Sequence, residues 1–284
     1  MDRRAALALA LLLIALLLAE WHVALRQRTR PVLGRLLINA GISVLSFTTA
    51  ALLVRPAALA VAGLAQDAPF GVIHLVPLPP AARFVLAFLL MDLSFYWWHM
   101  ANHHIPLLWR FHNVHHIDPD LDVSTAFRFH FGEVAMSAAF RVFQVGAVGL
   151  SAPMFAAYEL VFQASTLFHH SNVRMPIHVE RCLSLVLVTP RMHGIHHSQV
   201  RDETDSNYSV VFSWWDRLHR TMGLNIPQAD IVVGVPGYSR PEDNRLWNTL
   251  LLPFRRQRDY WLVPDGTSAR RGPAASTDPH RLAE

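Results

Sequence analysis

Three long apolar runs constrain this chain more than any other feature. Residues 6–25 read ALALALLLIALLLAEWHVAL, residues 36–54 read LLINAGISVLSFTTAALLV, and residues 82–100 read ARFVLAFLLMDLSFYWWHM. Each approaches or reaches the length of about 20 residues that an α-helix needs to cross the hydrocarbon core of a bilayer. The third ends in Tyr96, Trp97 and Trp98, the residue types that gather at a membrane–water interface. Only 16% of the residues are charged, against about 25% in soluble domains. Arg3 and Arg4 precede the first run as they would in a signal peptide. The run is long, however, no small-x-small cleavage site follows, and further spans come later, so a retained span is expected.

Residues 134–150 and 153–169 form a weaker apolar pair, broken at Ser151-Ala152-Pro153. The first holds Arg141 and Gln144. In the second, Glu159, Gln163, Thr166 and His170 fall at i, i+4, i+7 and i+11, one face of a helix. Such a face is either a polar seam between helices or the lining of a cavity. Arg26, Arg28, Arg30 and Arg35 follow the first span and place that loop in the cytoplasm. Alternation then puts 55–81 outside, and 101–133 and everything after 169 inside. The arginines at 240, 245, 255, 256 and 258 agree, while Arg3 and Arg4 pull the other way. The expected division is N-terminal transmembrane helices over 1–81, a histidine-rich core over 82–225, a cytosolic extension over 226–263 and a disordered tail over 264–284.

Two classes of function are excluded early. The basic residues are all arginine, their excess is small, and no basic stripe interleaved with stacking aromatics marks a nucleic-acid binder. The single cysteine, Cys182, permits no intrachain disulfide and no cysteine-rich metal site.

Histidine is the outlier, with 17 copies, most of them clustered. HMANHH gives His99-x3-His103, HNVHH gives His112-x2-His115-His116, and HGIHH gives His193-x2-His196-His197. Residues three and four apart are neighbours on a helix, so each box is expected to aim its imidazoles at a common point. Imidazole is the commonest biological metal ligand and is neutral near pH 7. One metal cannot use eight histidines, so two metals are implied. A zinc hydrolase needs only three protein ligands and an open position, and there is no HExxH. A metal transporter or sensor would carry ionisable ligands within its spans, whereas these cluster just past span ends. Two imidazole-held metals at a membrane face point to iron and oxygen chemistry on a lipid.

The segments DLSFYWWHMANHHIPLLWRFHNVHHIDPDLDVSTAFRFH, FHHSNVRMP, TPRMHGIHHS and DSNYSVVFSWWDRLHRT, between Asp92 and Thr221, resemble the fatty acid hydroxylase/sterol desaturase superfamily of membrane di-iron enzymes. The resemblance implies an all-α integral membrane protein: about four transmembrane helices with a cytosolic helical cap holding a histidine-rich dinuclear site. It implies O2-dependent hydroxylation or desaturation of a lipid C–H bond. The implied ligands are His99, His103, His112, His115, His116, His193, His196 and His197. His170 is added from between the second and third boxes, with His169 behind it. His130, in RFHFGE, is a weaker candidate, and Phe131 stands where family members often have proline. His219 departs from the aromatic residue common at its place.

Carboxylates that would hold the imidazoles are sought among Asp92, Asp118, Asp120, Glu133 and Asp216. No GxGxxG fingerprint and no haem-attachment motif is present. Electrons are therefore expected from a separate ferredoxin, rubredoxin or b-type cytochrome with its reductase. The location expected is the bacterial inner membrane, with the active site cytoplasmic. Sterol, fatty acyl chain, sphingoid base, carotenoid and alkylglycerol all remain open as substrates.

Overall fold

The computed structural model describes residues 3–271. Residues 272–284, most of the expected tail and with them His280, lie outside the described residues. Among the described residues the fold is helical, with isolated β-bridges and no extended strand ladder.

Helix α1 covers Arg3–His22 and α2 covers Val32–Thr49. The second apolar run was expected to end at 54, with a loop from 55; the chain instead stays helical to residue 67. A π-helical stretch, Ala50–Val54, joins α2 to α3, Arg55–Asp67. Pro56 lacks an N–H and its ring crowds the carbonyl four residues back. The helix answers by widening one turn: the Arg55 N–H bonds to the Ala50 carbonyl. Helix α4, Pro80–His104, follows. Three segments, Arg3–His22, Val32–His74 and Pro80–His104, are long and apolar enough to cross a membrane. Leu7, Leu11, Ile14 and Leu18 on α1, and Leu33, Leu37 and Val44 on α2, stand exposed, an apolar surface suited to lipid.

Helices α6, Phe131–Val148, and α7, Ala152–His170, form an antiparallel hairpin. It turns at Gly149, whose φ of 88° is left-handed and whose α-carbon faces the Phe70 carbonyl; a side chain there would strike it. Ala58 and Ala62 of α3, Ala87 and Met91 of α4, Val145 of α6 and Tyr158 and Phe162 of α7 make the main core.

The cap begins where α4 stops. Ile105 precedes Pro106 and adopts extended φ/ψ, as residues before proline do. The chain bends there into α5, Pro106–His116, which brings the end of α4 to face α5. Short helices α8 (Ile177–Leu183), α9 (Pro190–His196), α10 (Arg201–Thr204), α11 (Trp214–His219) and α12 (Leu246–Leu251) complete the cap. A buried ionic network fastens it to α2. Arg35 Nη1 and Asn39 Nδ2 donate to Asp118 at 2.8 and 3.0 Å, and Arg35 also pairs with Asp122. Arg128, fully buried, donates to the Val114 carbonyl, Asn39 and Asn244.

Candidate metal centre

The fold sorts nine imidazoles into two adjoining groups. His99, His103, His112, His116 and His196 form one; His115, His170, His193 and His197 form the other. Within each group one ring nitrogen per residue lies within 4.8 Å of the rest. The boxes do not each converge on a single point, as their spacing had been read. HNVHH sends His112 and His116 to the first group and His115 to the second. HGIHH does the reverse: His196 joins the first group, His193 and His197 the second. Helix geometry requires this split. Successive residues on an α-helix are about 100° apart, so an HH pair cannot face one way, while residues i and i+4 are only about 40° apart. Each HxxHH box therefore serves two centres.

The ring nitrogens show what the groups are built to hold. His99 Nδ1 donates to the Tyr208 carbonyl at 2.7 Å, and His196 Nδ1 donates to the Ser206 carbonyl at 2.7 Å. A neutral imidazole has one N–H, so both Nε2 atoms present lone pairs. Those two atoms face each other at 3.1 Å. In the second group His170 Nδ1 donates to the Thr166 carbonyl at 2.8 Å, and its Nε2 lies 3.0 Å from His115 Nε2 and 2.9 Å from His193 Nε2. His197 Nε2 is 3.1 Å from His193 Nε2. Lone pairs that face each other, as those of His99 and His196 do, want a shared cation. Nitrogens about 2.1 Å from a metal lie about 3.0 Å apart across an octahedral edge, and wider across a tetrahedral one. His112 Nε2 and both ring nitrogens of His116 are buried without a hydrogen-bond partner. Burial, and then the neighbouring imidazoles, push His115, His116, His193, His196 and His197 well below the usual histidine range. They are neutral, the form that ligates a metal. The residues present fit two metal ions.

The segment Ser206–Val210 orients several rings by its backbone. Its alternate carbonyls, at Ser206, Tyr208 and Val210, receive His196, His99 and His169. Two buried carboxylates hold this segment in place. Asp216 accepts the Tyr208 and Ser209 N–H groups at 2.8 and 3.0 Å. Asp92 accepts Val211 and Phe212 N–H and the Trp215 indole, at 3.3, 3.0 and 2.7 Å. Asn207, at φ 53°, exchanges hydrogen bonds with Gly223.

The other candidates divide. Glu133 is the one that meets a box imidazole directly, accepting from His112 Nδ1 at 2.8 Å. Asp92 and Asp216 reach the rings only through the backbone. Asp118 bonds Arg35, Asn39 and Thr125, and Asp120 caps the Thr29 and Arg30 N–H groups; neither bonds an imidazole. His130 stands apart: it caps α6 through the Gly132 N–H and bonds the Leu250 carbonyl. The His169 ring packs 4.2 Å from that of His193 yet belongs to neither group. Asp205, 3.7 Å from His103 Nδ1, had not been singled out. The three carbonyls had not been either, since an orienting carbonyl leaves no mark on residue type.

A cavity of about 220 Å³ opens against the groups. His99, His112, His115, His170 and His193 form one end, and Ala50 and Val54 of the π-helical stretch line it among Phe95, Trp98, Phe127 and Phe162. Glu159, Gln163, Thr166 and His170 all border it, so the polar face of α7 lines a cavity.

An imidazole-rich site thus stands at the end of membrane-compatible helices, beside an apolar cavity. Comparison with known proteins gives this arrangement a family. The fatty acid hydroxylase family profile matches residues 84–221, and the chain belongs to the fatty acid hydroxylase/sterol desaturase superfamily. It is 32% identical to the ornithine lipid hydroxylase OlsE of Rhizobium tropici, over 63% of this chain and 54% of that one. It is 30% identical to alkylglycerol monooxygenase of Danio rerio, over 67% of this chain and 41% of the relative. A cholesterol 25-hydroxylase-like protein of Danio rerio is 26% identical over 47% of this chain. The chain thus spans about half or less of the length of the first two relatives. No solved structure matches it significantly.

Proposed function

We propose that this protein hydroxylates a C–H bond of a membrane lipid, using O2 at a di-iron centre held by the nine grouped histidines. The observation that carries the proposal is the pairing of buried, neutral Nε2 atoms at 2.9–3.1 Å in two adjoining groups. Iron bound there would supply O2 activation and removal of hydrogen from an unactivated carbon. The chain's own part is positional. The Ser206 and Tyr208 carbonyls and Glu133 fix the tautomers of His196, His99 and His112. Phe95, Phe127 and Phe162 keep water from the cavity and receive the apolar chain. Hydroxylation puts one oxygen atom in the product and releases the other as water. The electrons and protons for that water come from a separate ferredoxin, rubredoxin or b-type cytochrome system. Hydroxylation is preferred to desaturation because the relatives named above are hydroxylases and a monooxygenase. The arginines at 26, 28, 30 and 35 support a cytoplasmic placement of the site at the inner membrane of a bacterium.

Lipid mass spectrometry of cells with and without the protein tests the reading. A gain of one oxygen in a membrane lipid is expected, lost in His115→Ala while the protein stays in the membrane. An unchanged lipid profile from iron-loaded protein with a working electron donor would overturn it.

A further inference from the structure

The cavity wall carries an ion pair that the metal groups do not use. Arg141 Nη2 lies 2.9 Å from Glu159 Oε1, joining α6 to α7 inside the apolar bundle. The Arg141 side chain is 7% exposed and sits against the rings of Phe95, Tyr158 and Phe162, 5.1–5.8 Å from their centroids. Its Nη1 donates to Gln144 Oε1 at 2.7 Å, and Gln144 in turn donates to the Met91 carbonyl and Ser94. The arginine is thereby held rigidly from behind. Glu159 is the open half of the pair. Its side chain is 30% exposed, it lines the cavity beside Gln163, and its buried Oε1 accepts no well-directed hydrogen bond. Charged groups among lipid-facing helices are costly and serve a purpose when kept. A seam that only glued two helices would not leave one partner of its ion pair open toward a cavity.

Position gives the pair a scale. Arg141 is eight residues along α6 from Glu133, and Glu159 is eleven residues along α7 from His170. At 1.5 Å per residue this puts the pair about 12–16 Å from the imidazole end of the same cavity. We propose that Arg141 and Glu159 form a subsite for a neutral hydrogen-bond donor, a hydroxyl group, on a lipid whose reacting carbon lies about 12–16 Å away. This rests on the oxygenase reading for which end of the lipid reacts. The hydroxyl donates to Glu159, and the pair's zero net charge disfavours a carboxylate or ammonium group. The subsite would thus select apolar alcohols and fix which carbon reaches the imidazoles, by distance from the hydroxyl.

Binding tests this without turnover. Purified full chain in phosphatidylcholine nanodiscs is titrated with hexadecan-1-ol, hexadecane and palmitate, each corrected for partition into the bilayer. The alcohol is expected to bind about tenfold tighter than the alkane, the scale of one hydrogen bond to a charged group, with no such gain for palmitate. Arg141→Met combined with Glu159→Leu should erase the preference. Equal binding of alcohol and alkane by the unaltered chain would overturn the subsite, as would a preference that survives the double substitution. Should that variant not fold, the ranking of the three probes on the unaltered chain still decides. Failure of the oxygenase reading looks different: no O2-dependent product forms, whichever way the probes rank.

Discussion

Asp216 carries a prediction that separates orientation from mere scaffolding. It is fully buried and touches no imidazole, yet it holds the segment whose carbonyls fix His99 and His196. Asp216→Ala leaves the Tyr208 and Ser209 N–H groups without an acceptor. At about 1–3 kcal/mol for each orphaned donor, stability should fall by about 2–6 kcal/mol. With the segment loosened, both imidazoles lose their fixed tautomers, and loss of such outer partners weakens metal binding by about 10–100-fold. Asp216→Asn keeps one acceptor oxygen and should fall between. The assay is iron affinity by chelator competition beside thermal unfolding in detergent, with exposed Glu242→Gln as control. A lowered melting temperature with unchanged iron affinity would refute the claim that this segment orients the ligands.

Further outcomes follow from other contacts. Glu133→Gln, at the one carboxylate bonded to a box imidazole among the described residues, should lower iron affinity about tenfold without unfolding the protein; chelator competition and circular dichroism read the two effects. Arg35→Met strands Asp118 and Asp122 in the interior and should cost about 3–5 kcal/mol, read as a loss of folded protein on heating. Gly149→Ala puts a side chain onto the Phe70 carbonyl at a left-handed φ and should destabilise the α6–α7 hairpin by about 1–3 kcal/mol, read by thermal unfolding and protease resistance.

Much of this architecture is written in residue type and spacing. The apolar runs foretell the long helices because a lipid-facing backbone has few alternatives. The boxes foretell the imidazole groups because clustered histidines have little other use in an apolar chain. What spacing hid has physical causes. The second apolar run reads as ending at 54, yet a widened π turn absorbs Pro56 and the helix continues to Asp67. The 100° step of a helix divides each box, but which imidazoles then share a group depends on how α4, α5, α7 and α9 meet in space. Asp92 and Asp216 were visible as candidate carboxylates for holding imidazoles, but their targets are N–H groups around residues 208–212, and peptide groups look alike in any sequence. The polar face of α7 was legible as a face; only the fold shows that it borders a cavity.

The most direct test of the account is metal stoichiometry. Purified full chain, titrated anaerobically with ferrous iron, should bind two ions per chain, one for each imidazole group. His116→Ala, in the first group, and His170→Ala, in the second, should each weaken one of the two binding events and spare the other. Saturation at a single iron, or iron binding indifferent to both substitutions, would contradict the dinuclear site.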